Sequence, residues 1–279
     1  MTRILITGAG GQLGRALTHT LCDHEVTALR HSELDITDRT AVASAMKAAN
    51  PEVVINAAAY NDVDRAETEV KAAQAINIRG PRIIAEGSAA RNIPIVHVST
   101  DYVFDGTAGR PYHEDDRPNP LSAYARSKRA GEVAVMEANP RHYVVRTAWL
   151  FEARGKNFLN TMRAAAERPE VQVVADQFGS PTYAPQLARA IASLVESSKF
   201  GLYHLAGRGG TSRCELVRVL YALLGIDAKV VAIKHDAFPA AAVRPLNTIL
   251  TTIRDSAPMM PTWQEGVREF VADLRNIDS

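Results

Sequence analysis

Along the first half of the chain, short apolar runs alternate with stretches in which apolar residues recur every three or four positions. Arg3-Ile4-Leu5-Ile6-Thr7 stops at a glycine cluster, and Gln12 to Leu21 then carries Leu13, Ala16, Leu17 and Leu21 on one helical face. The unit repeats. Glu25 to Leu29 reads as a strand, Asp38 is placed to cap a helix running to Ala49, and Pro51 precedes the strand Val53-Val54-Ile55-Asn56. A helical stretch through Ala72, Ala75, Ile76, Ile83 and Ile84 leads into Ile95-Val96-His97-Val98, and a helix beginning near Ser122 leads into Tyr143 to Thr147. Strands that are apolar on both faces and alternate with helices predict a parallel sheet covered on both sides.

After Trp149 the rhythm weakens. Asn157 to Arg168 reads as helical and Val171 to Val174 as extended, but Asp176-Gln177-Phe178-Gly179-Ser180-Pro181-Thr182 is a loop of turn formers. Leu187 to Val195 is then a helix, Leu202 to Leu205 a strand, Ser212 to Leu224 a helix and Trp263 to Leu274 a final helix. This pattern predicts a nucleotide-binding sheet domain over 1–148 and 183–206, with a smaller mixed α/β substrate-binding domain over 149–182 and 207–279. With 279 residues, 46% of them hydrophobic, the chain is long enough to build both. Its 32 Lys+Arg against 31 Asp+Glu give a net charge of +1, so no surplus points to nucleic acid or an anionic membrane. The apolar runs are too short to span a bilayer, and the glycine turn arrives before a signal-peptide core could form. Cys22 and Cys214 show no C-x-x-C spacing, which fits a reduced compartment. The expectation is a soluble cytoplasmic protein with neither nucleic-acid nor membrane partners.

Candidate chemistry enters with Gly8-Ala9-Gly10-Gly11-Gln12-Leu13-Gly14, set between the first strand and the first helix. A dinucleotide pyrophosphate needs backbone N–H groups at a helix N-terminus, and side chains in that turn would block its approach. The spacing of Gly8, Gly11 and Gly14 is not the usual G-x-G-x-x-G, but its register after the first strand of an alternating pattern points to a Rossmann-type doubly wound sheet. At the end of the second strand, where an NAD site usually offers an acid, the chain reads Leu29-Arg30-His31. Arg30 can pair with a 2′-phosphate, so NADPH is expected, with NADH as the alternative. Asp35 and Ile36 can lie beside the adenine, or Asp35 can simply order a turn.

The second motif is Tyr124-Ala125-Arg126-Ser127-Lys128. Residues four apart share a helical face, and a cation beside a phenol lowers its pKa toward a usable general acid or base. Upstream, Val98-Ser99-Thr100-Asp101-Tyr102 puts hydroxyls at the carboxyl end of the fourth strand, the edge at which open parallel sheets bind ligands. Thr100 can donate a hydrogen bond to a substrate oxygen there. The acids Asp62, Asp64, Glu67 and Glu69, with Arg65, read as a solvated helix face, and Met46, Met136 and Met162 as core.

These strings together resemble the extended short-chain dehydrogenase/reductase family, in its branch of nucleotide-linked 4-keto-sugar reductases. The resemblance runs over nearly the whole chain. It rests on Gly8 to Gly14, Asn56-Ala57-Ala58-Ala59-Tyr60, Val63 to Glu67, Ser99-Thr100-Asp101-Tyr102-Val103-Phe104, Tyr124 with Lys128, Arg146-Thr147-Ala148-Trp149, Asn157-Phe158, Asp176 to Thr182, and Arg244-Pro245. It implies Thr100, Tyr124 and Lys128 as the catalytic trio and Asn56, Ala57, Ala58 and Ala59 as cofactor lining. It also implies Asp101, Tyr102, Trp149 and Arg244 on the sugar-nucleotide side. The reaction implied is NADPH-dependent reduction of the 4-keto group of dTDP-4-dehydro-L-rhamnose to dTDP-L-rhamnose, with Tyr124 as acid, its pKa lowered by Lys128, and Thr100 polarising the carbonyl. Related 4,6-dehydratases follow Thr-Asp with a Glu that assists elimination; Tyr102 stands there in this chain.

Some enzymes of that branch form dimers bridged by Mg²⁺ on glutamates. Arg15 and Pro185 occupy two of the matching positions, with Asp273 near the third, so a metal bridge is not expected and a monomer or another homodimer stays open. The eight histidines include no H-x-H or H-x-x-x-H pair, and no transition-metal site is expected. Arg244-Pro245-Leu246-Asn247-Thr248, Thr251-Thr252 and Asn61-Asp62 depart from the branch's usual strings, which leaves the sugar open rather than the reaction. The chain also resembles the beta subunit of methionine adenosyltransferase, a regulatory protein, and the intact trio distinguishes the two readings.

Overall fold

A computed structural model of the chain describes residues 1–278. Its first half runs β1 (Arg3–Thr7), α1 (Gln12–Thr20), β2 (Glu25–Leu29), α2 (Arg39–Ala49), β3 (Val53–Asn56), α3 (Val70–Gln74), α4 (Gly80–Ala89), β4 (Ile95–Thr100), α5 (Ala123–Ala138) and β5 (His142–Thr147). A π-helical segment, Ala75–Arg79, joins α3 to α4. Then follow β6 (Leu150–Phe151), α6 (Phe158–Ala165), β7 (Glu170–Val174), β8 (Phe178–Gly179), β9 (Thr182–Tyr183), α7 (Ala184–Glu196), β10 (Gly201–His204), β11 (Thr211–Ser212), α8 (Arg213–Leu224), β12 (Lys229–Ile233) and α9 (Trp263–Asp278).

Six strands form one parallel sheet in the order β10-β5-β4-β3-β1-β2. Successive residues serve opposite faces, as strand geometry requires. Ile4, Ile6, Val53, Ile55, Val96, Tyr143 and Val145 pack against α1 and α7, while Leu5, Val54, Ile95 and Val144 pack against α2, α4 and α5. This is the Rossmann-type arrangement that the alternating pattern predicts. The Asp38 cap forms where expected, its carboxylate accepting from Thr40 N and Ala41 N, and the structure adds a cap at Ser122, whose hydroxyl accepts from Ala125 N. Because β1 lies between β3 and β2, connections leave it in opposite directions and open a crevice at the carboxyl edge.

A separate core lies among α6, α8, α9 and β7, with Phe151, Tyr183, Trp263 and Phe270 buried in it. Sequence periodicity overlooks several pieces of this region. The turn-rich loop contains β8 and β9, which pair with β11 and β6, and Lys229–Ile233 forms β12 against β7. Among the described residues no helix is long and apolar enough to cross a membrane. Both cysteines are free thiols, Cys22 exposed and Cys214 buried.

One buried charge cluster ties α5 to the sheet. The Glu132 carboxylate accepts from Arg146 Nε and Nη2, both at 2.8 Å, from Ser99 Oγ at 2.6 Å and from Arg129 at 2.8 Å. Glu132 and Arg146 are both essentially excluded from solvent. Burial pushes the carboxyl up, but these hydrogen bonds outweigh it and hold it below its ordinary range. Ser99 and Arg146 each immediately precede a residue of the cleft described next, so the cluster ties α5 to that edge.

Candidate active site

The glycine turn forms one end of a continuous cleft. Gly8 has φ of +75°, and a Cβ there would lie 2.5 Å from Ala58 N; one on Gly14 would lie 2.3 Å from Gly8 O. These two positions let the turn close against the loop after β3. Gly10 and Gly11 instead leave the floor open, since a Cβ on Gly11 would meet only Gly8 O at 3.3 Å. That open floor beside the start of α1 is a fit for an anionic diphosphate, whose oxygens the backbone N–H groups can reach. Beyond it, a space of about 470 Å³ is lined by His31, Leu34, Asp35, Ile36 and Ala57 to Tyr60. Arg30 lies at the rim, exposed, with its side chain above Gly10 and no carboxylate partner among the described residues.

One expected cofactor residue takes another place. Asn56 is fully buried beneath the turn rather than lining it: its Oδ1 accepts from Thr7 Oγ1 at 2.7 Å and Ala58 N at 3.2 Å, and its Nδ2 meets His97 Nδ1 at 3.1 Å. Its effect is to fix Ala57, Ala58 and Ala59, which do line the cleft. Asp35 both lines that space and orders a turn, accepting from Thr37 N and Oγ1, both at 2.8 Å; these bonds hold its carboxyl below the usual range.

The other end, about 360 Å³, is lined by Gln12, Leu13, Thr100, Asp101, Tyr102, Tyr124, Lys128, Thr147, Trp149 and Arg213. The two ends share Gly11, Ala57, Ala59 and Asn61. Thr100 ends β4, while Tyr124 and Lys128 sit one turn apart on α5, so the trio shares one wall. The trio is buried, with Lys128 2% exposed. Burial drives the Tyr124 phenol well above its ordinary value, only partly offset by the Thr100 hydroxyl. Lys128, expected to lower this pKa, donates from its ammonium to Val98 O at 2.7 Å. Burial brings Lys128 itself down to about 8, against the opposing charge of Glu132.

Asp101 is enclosed. Its two oxygens accept from Thr100 Oγ1 at 3.0 Å and from Thr248 Oγ1, and burial lifts its pKa to about 6. Tyr102 packs edge-on to Tyr124 with ring centroids 6.3 Å apart. Trp149 adopts a left-handed φ of +46°, which turns its indole into the cleft, and Gly179 makes that possible. A Cβ on Gly179 would lie 2.4 Å from the indole. This is the physical content of the Gly in Asp-Gln-Phe-Gly-Ser-Pro-Thr.

Arg244 reaches Tyr102 of the cleft. It lines a neighbouring hollow with Gln177, His235 and Phe238, and Asp64 grips it bidentately at 3.0 and 2.6 Å. The acids expected to be a solvated face are likewise engaged. Besides Asp64, Glu67 accepts from Ala123 N at the start of α5, and Glu69 accepts from the Tyr60 hydroxyl. Arg15, for its part, is ion-paired with Glu152, and Asp273 accepts from the Tyr183 hydroxyl. Sequence reasoning missed Thr147 and Arg213 as cleft residues. Thr147 carries the signal of a strand-end hydroxyl like Thr100, whereas nothing local marks Arg213.

Comparison with known proteins agrees with this geometry. A dTDP-4-dehydrorhamnose reductase of Aggregatibacter actinomycetemcomitans is 40% identical over 291 residues, covering 98% of this chain and 99% of the relative. A Streptomyces antibioticus protein named as a probable dTDP-4,6-dihydroxy-2-methyloxan-3-one 4-ketoreductase is 41% identical over 282 residues, covering 98% and 95%. The solved dTDP-4-dehydrorhamnose reductase of Bacillus anthracis, in complex with NADP, superposes with a TM-score of 0.95 at 36% identity, covering 98% of this chain and 99% of that one. The profile of the family described as the RmlD substrate binding domain matches residues 1–276, and the chain belongs to that family.

Proposed function

We propose that the protein reduces the 4-keto group of dTDP-4-dehydro-L-rhamnose with NADPH to give dTDP-L-rhamnose. The observation that carries this reading is the cleft itself: an open glycine floor runs without a break into a wall bearing Thr100, Tyr124 and Lys128. NADPH, when bound, supplies the hydride. Gly8 to Gly14 would hold its diphosphate and Arg30 its 2′-phosphate, with Ala57 to Ala59 beside it.

Tyr124 then gives its proton to the oxygen on which charge develops, and the resulting phenolate regains one from solvent. The phenol is protonated at neutral pH and so available as a donor, while its burial, which raises its pKa, opposes the transfer until ligand and cation contacts offset it. Thr100, on releasing Asp101, would hydrogen-bond the same oxygen, and the Lys128 ammonium would hold a cofactor hydroxyl. Trp149 faces the sugar. Residues 1–148 and 183–206 serve the cofactor and 149–182 and 207–279 the sugar nucleotide, a division supported by the separate cores. The enzyme works in the cytoplasm, as a monomer or a homodimer with no metal bridge. The cation Arg15, paired with Glu152, supports the latter point.

The test is NADPH consumption with dTDP-4-dehydro-L-rhamnose set against a panel of other nucleotide-linked 4-keto sugars. The S. antibioticus relative is the reason for the panel. Turnover with the rhamnose precursor in preference to the others is expected. No turnover with any sugar, together with stoichiometric capture of a partner protein, would favour a regulatory subunit instead.

A further inference from the structure

We propose that Arg213 is the cation that receives the diphosphate of the nucleotide-linked sugar. This rests on the reading above that such a sugar is the substrate. A diphosphate needs a cation that is not already spent, and the arginine expected on the sugar side, Arg244, is neutralised by its bidentate pair with Asp64. Arg213 is different. It opens α8, lines the same cleft as Tyr124 and Trp149, and forms no ion pair within 4 Å among the described residues, although its charge acts on the Asp101 carboxylate of that cleft. Its guanidinium lies 4.2 Å from the centre of the Trp149 ring and 5.0 Å from that of Phe158. Among the described residues its guanidinium makes one hydrogen bond, from Nε to Gln177 Oε1 at 3.3 Å.

That bond leaves the terminal N–H groups uncommitted, and a planar guanidinium held by aromatic faces suits two phosphate oxygens at once. The surrounding wall points to a polar ligand independently. Thr147 Oγ1 is buried and without a partner, as is Gln12 Oε1, and both residues line this cleft. Buried polar atoms are seldom left unpaired, so a ligand with hydrogen-bonding groups is what completes them. With a net charge of only +1, the molecule has no general field to draw in an anion, and a local cation must do so.

The NADPH diphosphate is the other anion that could reach this arginine, and the experiment separates the two. Binding of NADPH, and of dTDP and thymidine to the NADP-saturated enzyme, is measured by calorimetry for wild type, Arg213→Gln and Arg213→Lys. Arg213→Gln is expected to weaken dTDP by about tenfold or more, the scale of a lost charge-assisted contact, with NADPH and thymidine within about twofold and Arg213→Lys in between. Unchanged dTDP affinity overturns the proposal, as does a loss that falls equally on thymidine or on NADPH instead. If the Gln variant does not fold, Arg213→Met, which keeps the apolar packing on Trp149, carries the same expectation. Failure of the wild type to bind dTDP at all would overturn the substrate reading itself, whereas wild-type binding unaffected by the substitutions would overturn only the role of Arg213.

Discussion

The two walls of the cleft are built in different ways. The catalytic wall comes from neighbouring elements of one regular sheet: Thr100 at the end of β4, Thr147 at the end of β5, and one turn of α5 lying across them. The wall proposed for the sugar is assembled from Trp149, backed by Gly179, and Arg213, with the Arg244–Asp64 pair in the adjoining hollow; these are scattered over the chain and meet only through long-range packing. A parallel sheet fixes the positions of its strand ends as soon as it forms, so chemistry on the first wall needs little further support. The second wall depends on single close contacts, and those are where it can be perturbed without disturbing the first.

The largest effect should come from the catalytic wall. Tyr124→Phe removes the proton donor and is expected to lower kcat by about 10²–10⁴-fold, the usual yield of general acid catalysis, with NADPH affinity unchanged by fluorescence titration. Near-normal turnover would move the acid elsewhere. Glu132→Gln strips the buried Arg146 of its carboxylate, and denaturant unfolding should show a loss of about 3–5 kcal/mol. A loss confined to a few tenths would mean the cluster does not fix α5.

The sugar wall should respond more selectively. Gly179→Ala places a methyl group against the indole of Trp149, and overpacking of about 1–3 kcal/mol should raise KM for the sugar nucleotide about tenfold. NADPH binding is expected to be untouched, and a parallel loss of both would dissolve the distinction between the walls.

Acidity separates the walls as well. Lys128 acts as an ammonium, and its pKa is drawn down to about 8, so activity should be full below that pH and decline as pH rises through it. Lys128→Arg keeps its charge to much higher pH, and its rate profile should lose that alkaline limb even if its maximum is lower. The smallest effect belongs to Asp64→Asn. Asp64 and Arg244 are partly exposed, 42% and 24%, so solvent screening limits the pair to about 1 kcal/mol or less in thermal unfolding. Any larger loss would show that the sugar wall rests on this contact.

The same contrast explains what could be read along the chain. The sheet, its order of strands and helices and the cap at Asp38 all follow from local periodicity and local hydrogen bonding. The trio follows too, because strand ends and helical spacing are local facts. The engaged state of Arg244 is not local, since its partner lies 180 positions away, and a free arginine and a paired one are the same letter. Arg213 gives no sign for the same reason. Asn56 shows the opposite limit: its string is recognisable, but the string does not say whether the amide faces the ligand or holds the loop that does. The direction of the Tyr124 shift depends on burial and on where the Lys128 ammonium points, and neither is visible in a Y-x-x-x-K spacing.

The central claim is that the catalytic wall performs a hydride reduction with Tyr124 as proton donor. It is tested most directly by incubating wild type and Tyr124→Phe with dTDP-4-dehydro-L-rhamnose and NADPH deuterated at the transferable position, then locating the label by NMR. The expected result is deuterium at C-4 of dTDP-L-rhamnose from the wild type and almost none from the variant. Absence of label at C-4 with the wild type, or equal labelling by both proteins, would contradict it.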